Sequence, residues 1–224
     1  MRRTRILCAL AVAAMMAAAR PASPTTVVAP TFDELVLRAE IVIVARVVAV
    51  RAAWVNSRAG RSIVSDVTVS IERTLKGPTY AERTFEFLGG TIGEDTLRVD
   101  GMPEFHVGDR DVLFIAEAGR PASPLVGFMY GRVRIIQDSR TGADAVRTHD
   151  GRPLASTAEV GNTRPPAFVA PLRTLSLAEF ERAVTEKVRV QAGARCPRAA
   201  APSGLDWRCC WCGRRDTDCR ALWC

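Results

Sequence analysis

Apolar and polar positions alternate most cleanly between residues 63 and 72. Ile63, Val67, Val69 and Ile71 fall on one side, and Asp66, Thr68, Ser70 and Glu72 on the other. A period of two is the signature of a half-buried strand. Just upstream, Ile41–Val50 is apolar at both parities except at Arg46, which predicts a fully buried strand, or a barrel strand covered outside by a helix. Trp54, Asn56, Ser57 and Gly60 read as the loop between these two strands, and Lys76-Gly77-Pro78 ends the second, because proline lacks a ladder donor. Phe85 and Phe87 mark a third strand and Leu97 and Val99 a fourth, with Gly89, Gly90 and Gly93 between them in a loop that calls for positive φ. Further strands are predicted at Val112–Ala116, Leu125–Tyr130, Arg132–Ile136 and Ala145–Thr148, with turns at Met102–Asp109 and Asp138–Gly142.

The helical signals are few and local. Thr31-Phe32-Asp33-Glu34 and Ser176-Leu177-Ala178-Glu179 both match the capping box, in which the hydroxyl takes the N3 amide and the glutamate reaches back to the cap's own N–H. The first opens a short helix through Leu35, Val36 and Ala39. The second opens a helix whose Leu177, Phe180, Val184 and Val188 form a narrow apolar stripe, suited to closing an open end of a barrel. Short strands with glycine-rich turns plus two helices predict a mainly β fold: a closed or partly open β-barrel with a short N-terminal helix and a C-terminal amphipathic helix.

Beyond this domain the pattern changes. Met1–Arg5 is basic, Ile6–Ala19 is an apolar run, and Ala17-Ala18-Ala19 fits a small-x-small cleavage site, which predicts a signal peptide over residues 1–19 and export to the periplasm or outside the cell. A short uncleaved anchor is the alternative, although 14 apolar residues fall below the roughly 20 that span a bilayer. Residues 20–30 read as a flexible leader, 31–149 as the barrel domain, 150–175 as a proline-rich wrap or linker, 176–192 as the closing helix and 193–224 as a poorly ordered tail rich in Cys and Trp.

Charge adds less than its total suggests. The formal charge is +7, but three arginines in residues 1–19 and a surplus of two cationic charges in 196–224 leave the body 20–195 at +2. Its arginines are scattered, with no basic stripe and few aromatics to stack bases, so no nucleic-acid partner is expected. Nor is a membrane partner once the signal is removed. The body holds no cysteine, so its stability must come from an apolar core. Six cysteines (196, 209, 210, 212, 219 and 224) crowd the end of the chain with three of its four tryptophans. A disulfide knot, a metal site and a shifted reading frame in GC-rich coding all account for that composition, and the paired C-x-x-C knuckles of a zinc ribbon are not among its spacings.

Candidate chemistry is sparse. His106 and His149 stand alone in turn or polar settings; there is no H-E-x-x-H and no G-x-S-x-G. The Gly89-Gly90 pair lacks the Lys and Ser/Thr of a phosphate loop. Glu94, Asp95, Asp100, Glu104, Asp109 and Asp111 gather around that pair, without the spacing of a calcium loop. No catalytic, cofactor-binding or metal residue is therefore singled out, and no cofactor is expected. Trp54 either anchors a ligand or covers a barrel end.

Three stretches carry a family likeness. Ala39–Val47 resembles the opening strand of netrin-type modules, Ser70–Gly77 their second long strand ending in leucine-lysine-glycine, and Gly108–Ile115 the strand that follows. Gly89-Gly90, Gly101, Pro103, Phe105 and Gly108 also resemble a pattern of uncharacterised exported bacterial proteins. The resemblance, over roughly residues 31–136, implies the OB-type barrel shared with the tissue inhibitors of metalloproteinases. The expected function is an exported binding module for an unknown protein or small ligand. The alternatives are a secreted protease inhibitor acting through a loop such as Gly89–Gly101, and a hydrolase with an unrecognised site.

Overall fold

The computed structural model describes residues 28–57, 60–116, 122–138, 142–161 and 173–195. The expected signal peptide and residues 196–224 of the cysteine-rich tail lie outside the described residues; residues 193–195, expected in that tail, continue the C-terminal helix. Helix α1 (Phe32–Arg38) starts at the first capping box: the Glu34 amide donates to Thr31 Oγ1 at 3.3 Å, and the Thr31 amide to Glu34 Oε2 at 2.8 Å. Strands β1 (Ile41–Ser57) and β2 (Gly60–Lys76) form one long antiparallel hairpin. They are followed by β3 (Glu82–Leu88), β4 (Gly90–Ile92), β5 (Asp95–Leu97), β6 (Arg110–Ile115), β7 (Arg132–Gln137), β8 (Asp144–Arg147) and helix α2 (Leu177–Arg195). The protein is mainly β.

Six strands form an antiparallel sheet in the order β3-β2-β1-β6-β7-β8, and β4 and β5 form a separate two-stranded hairpin. The sheet does not close into a barrel, which corrects the closed form of the expectation. The outer edge of β7, which a closing strand would need, is taken by β8, whose Ala145 and Val146 pair with Ile136 and Ile135. At the far edge, β3 pairs only with β2 among the described strands.

Both faces of the sheet are apolar, and each is covered differently. On the helix face Val42, Val44, Val112, Phe114, Val133 and Val146 meet Leu35 and Val36 of α1 and Phe180 and Val184 of α2. Phe180 stands edge-on to Phe32 and Phe114, with ring centroids 5.6 and 6.3 Å apart. On the opposite, loop face Ile43, Val47, Val67, Val69, Phe85, Phe87 and Leu113 lie under Phe105 and Leu125, which come from connecting segments. This is why Ile41–Val47 is apolar at both parities. Helix α2 therefore covers the middle of a sheet face and does not plug a barrel end.

Local differences from the sequence reading have identifiable causes. Trp54 and Asn56 belong to β1, not to a loop, because β1 and β2 stay paired as far as Ser57 and Gly60. Leu97 ends β5 while Val99 lies outside it: Gly93, at φ +62°, lets the chain reverse early between β4 and β5. Leu125–Tyr130 is not a strand. Leu125 makes a single bridge to Ile115, and left-handed Gly127 and Phe128 turn the chain into a 3-10 helix, Phe128–Gly131. Pro30, at the end of the expected flexible leader, is buried. Residues 150–161 wrap onto the helix face, burying Leu154 and Val160; residues 162–172 lie outside the described set.

A cleft between the sheet and the glycine-rich hairpin

The loop face is not covered evenly. Between the β4–β5 hairpin, segment 98–106 and the sheet lies a cleft of about 540 Å³, within the usual size of a small-molecule site. Its floor is Val50 and Ala52 of β1, Ser65 and Val67 of β2, and Phe87 of β3.

The double glycine builds one wall. The Gly89 amide donates to the Ile63 carbonyl at 2.8 Å, and the Ser65 hydroxyl donates to the Gly89 carbonyl at 2.7 Å. At Gly90, φ is +145°, and a Cβ would sit 2.5 Å from Ser65 Oγ and 3.3 Å from Ala52 Cβ. Only glycine lets the hairpin backbone lie this close to the sheet. The pair is a packing device, in line with its missing phosphate-loop context. Thr91 and Thr96 hydrogen bond across the hairpin at 3.0 Å.

Arg132 holds the other wall. One guanidinium nitrogen donates to the Glu104 carbonyl, a second to Asp109 Oδ2 at 2.7 Å, and Nε lies 2.9 Å from Asp111 Oδ1. Its charge sits 4.3 Å from the centre of the Phe105 ring, which rests on Phe87 with centroids 4.9 Å apart. Arg132 and Asp111 are both almost completely buried, so removing Arg132 would strand the charge of Asp111, whereas Arg132 keeps Asp109 as a second partner. Burial pushes the Asp111 carboxyl above its ordinary range against the pull of Arg132. Burial also works to raise Asp109, but the His106 amide and the Arg132 and Arg134 charges outweigh it and hold Asp109 below the usual carboxylate range.

The acidic residues that are neighbours in sequence are parted by the fold. Glu94 and Asp95 are exposed at the turn of the β4–β5 hairpin, Asp100 and Glu104 stand on the cleft rim, and Asp109 and Asp111 belong to Arg132. Among the described residues no three His, Cys, Asp or Glu side chains converge as metal ligands. His106 is on the rim, exposed, 3.7 Å from Asp109. His149 lies elsewhere, edge-on to Tyr130 at 5.1 Å, with burial lowering its pKa. Trp54 covers no barrel end; it is partly exposed beneath Arg61, whose guanidinium carbon is 4.0 Å from its ring centre.

Sequence reasoning passed over Arg132. The available signal was an arginine at an inward parity: Arg132 and Arg134 alternate with the buried Val133 and Ile135, and on β6 Leu113 stands opposite Arg132 and Asp111 opposite Arg134, on the same face. Comparison with protein-family models, with curated proteins and with solved structures finds no match to this chain.

Proposed function

We propose that this protein is an exported binding module of OB type, and that it holds a small ligand in the cleft between the loop face and the β4–β5 hairpin. The observation that carries this reading is the cleft itself. It is preformed, with a largely apolar floor whose one hydroxyl, on Ser65, is bonded to the Gly89 carbonyl, and its other wall is fixed by the buried Arg132–Asp111 ion pair. The strand order supports the OB likeness: a five-stranded barrel opened between its third and last strands would lie as β3-β2-β1-β6-β7, the first five positions of this sheet. Segment 90–97, where the inhibitor alternative would place its reactive loop, is a hairpin paired to itself.

Fragment screening by amide chemical-shift mapping on the full chain tests the site. Bound fragments should move the amides of Ala52, Ser65, Gly89, Val99 and Phe105 together; shifts confined to other surfaces would overturn it. Export rests on the residues Ile6–Ala19. Protein recovered from the exported fraction should begin between Arg20 and Thr25 by intact mass, and retention of Met1 there would refute cleavage.

A further inference from the structure

We infer that the cleft selects ligands with an apolar body and a cationic group, such as arylalkyl amines, an inference that rests on the binding reading above. The floor is hydrocarbon: Val50, Ala52, Val67 and Phe87, with Phe105 packed on Phe87. Its one hydroxyl, on Ser65, is already committed to the Gly89 carbonyl. A ligand body therefore gains by apolar contact and finds no free polar partner on the floor.

Selectivity comes from the rim. Arg98, the guanidinium on the rim, lies 3.2 Å from Glu104 and is neutralised by it. Asp100 lines the cleft without an ion pair or hydrogen bond among the described residues. Glu94 and Asp95 stand at the turn of the neighbouring hairpin, and the other rim group, His106, faces Asp109 at 3.7 Å. An ammonium at the mouth meets the carboxylate of Asp100, whereas a carboxylate there would be repelled by it.

Three probes of nearly equal size separate shape from charge: 2-phenylethylamine, 2-phenylethanol and phenylacetate, each titrated into the full-length protein at pH 7 with amide shifts as the readout. The amine should bind on the order of threefold more tightly than the alcohol, as expected for one solvent-screened ion pair, and phenylacetate more weakly than either. Asp100→Asn should bring the amine to the level of the alcohol and leave the alcohol unchanged. Val99→Trp, which fills the cleft from a half-buried position on segment 98–106, should abolish binding of all three while the remaining amide spectrum persists. Phenylacetate binding as well as the amine, or an amine advantage that survives Asp100→Asn, would overturn the charge selectivity and leave the cleft reading intact. Binding that survives Val99→Trp, or no binding by any probe, would overturn both.

Discussion

At Gly90 one missing methyl group sets the distance between the hairpin and the sheet. A Cβ there would press on Ser65 Oγ at 2.5 Å and force the serine off the Gly89 carbonyl, in a backbone conformation, φ +145°, that side chains rarely adopt. Gly90→Ala should therefore cost about 1–3 kcal/mol in urea unfolding. Gly93→Ala, at φ +62° with nothing within 4 Å of the new methyl, should cost only about 1 kcal/mol. Equal losses at the two sites would show that close approach is not what Gly90 serves. Arg132 is the second such residue. Arg132→Met keeps much of the stem but leaves Asp111 buried without its counter-charge and frees the Glu104 carbonyl. A loss of about 3–5 kcal/mol is expected, and Asp111→Asn in the same chain should recover part of it.

Among the elements, those specified by neighbours in sequence were legible and those specified by distant partners were not. Both capping boxes form, with the Ser176 hydroxyl and Glu179 repeating the reciprocal pair seen at Thr31, because every group they need lies within four residues. The alternation of Val67 and Val69 with Thr68 and Ser70, and the paired Phe85 and Phe87, reappear as buried and less buried positions of β2 and β3. The β4–β5 hairpin, the 3-10 turn at Phe128 and the cleft were not legible. They depend on Gly90 meeting Ser65, on Leu125 bridging to Ile115, and on Arg132 reaching across to residues 104–111. The stripe of α2 shows the same division. Leu177, Phe180 and Val184 are buried as their spacing requires, but the surface they cover is the middle of a sheet face and not a barrel end. Phe180→Ala would empty the space between Phe32 and Phe114 and should cost about 3–5 kcal/mol. Val190→Ala, on the exposed side of the same helix, should change stability by no more than about 0.5 kcal/mol. Comparable losses would mean that α2 does not dock through this stripe.

The whole molecule joins two apolar sheet faces to ion pairs that gather at the strand ends, so its stability should depend on acid in a defined direction. Glu72 is held below its usual range by hydrogen bonds from Arg110, with Arg46 and Arg73 adding to the effect, and Asp109 is held low by the His106 amide, Arg132 and Arg134. Asp150 is also lowered: burial opposes the shift, and Thr148 and Arg152 outweigh it. A carboxylate whose folded pKa is depressed contributes stability above its unfolded pKa and loses it as pH falls through the folded value. Asp111 acts in the opposite sense. Its pKa is raised by burial, so the stability tied to its protonated form is present at low pH and lost as pH rises through the folded value. Glu34 and Glu179 are lowered too, by the amides and hydroxyls of Thr31 and Ser176, so five depressed carboxylates against one raised give a net loss on acidification. Unfolding free energy from urea titrations should be nearly flat between pH 7 and 8. It should begin to decline below about pH 6.5, as the half-buried His149 takes up a proton less readily than in the unfolded chain, and fall further below about pH 4. The partly exposed pairs of Glu72, Asp109 and Asp150 should each contribute no more than about 1 kcal/mol to that fall, because solvent screens them. Arg110→Gln weakens the main cause of the Glu72 shift, so it should lower stability at pH 7 and make the acid loss shallower. Asp111→Asn removes the one opposing group and should make the loss steeper. A wild-type protein that gains stability between pH 5 and pH 3 would mean that burial of Asp111 outweighs all the depressed carboxylates together, and that this one buried carboxyl governs the acid behaviour of the fold.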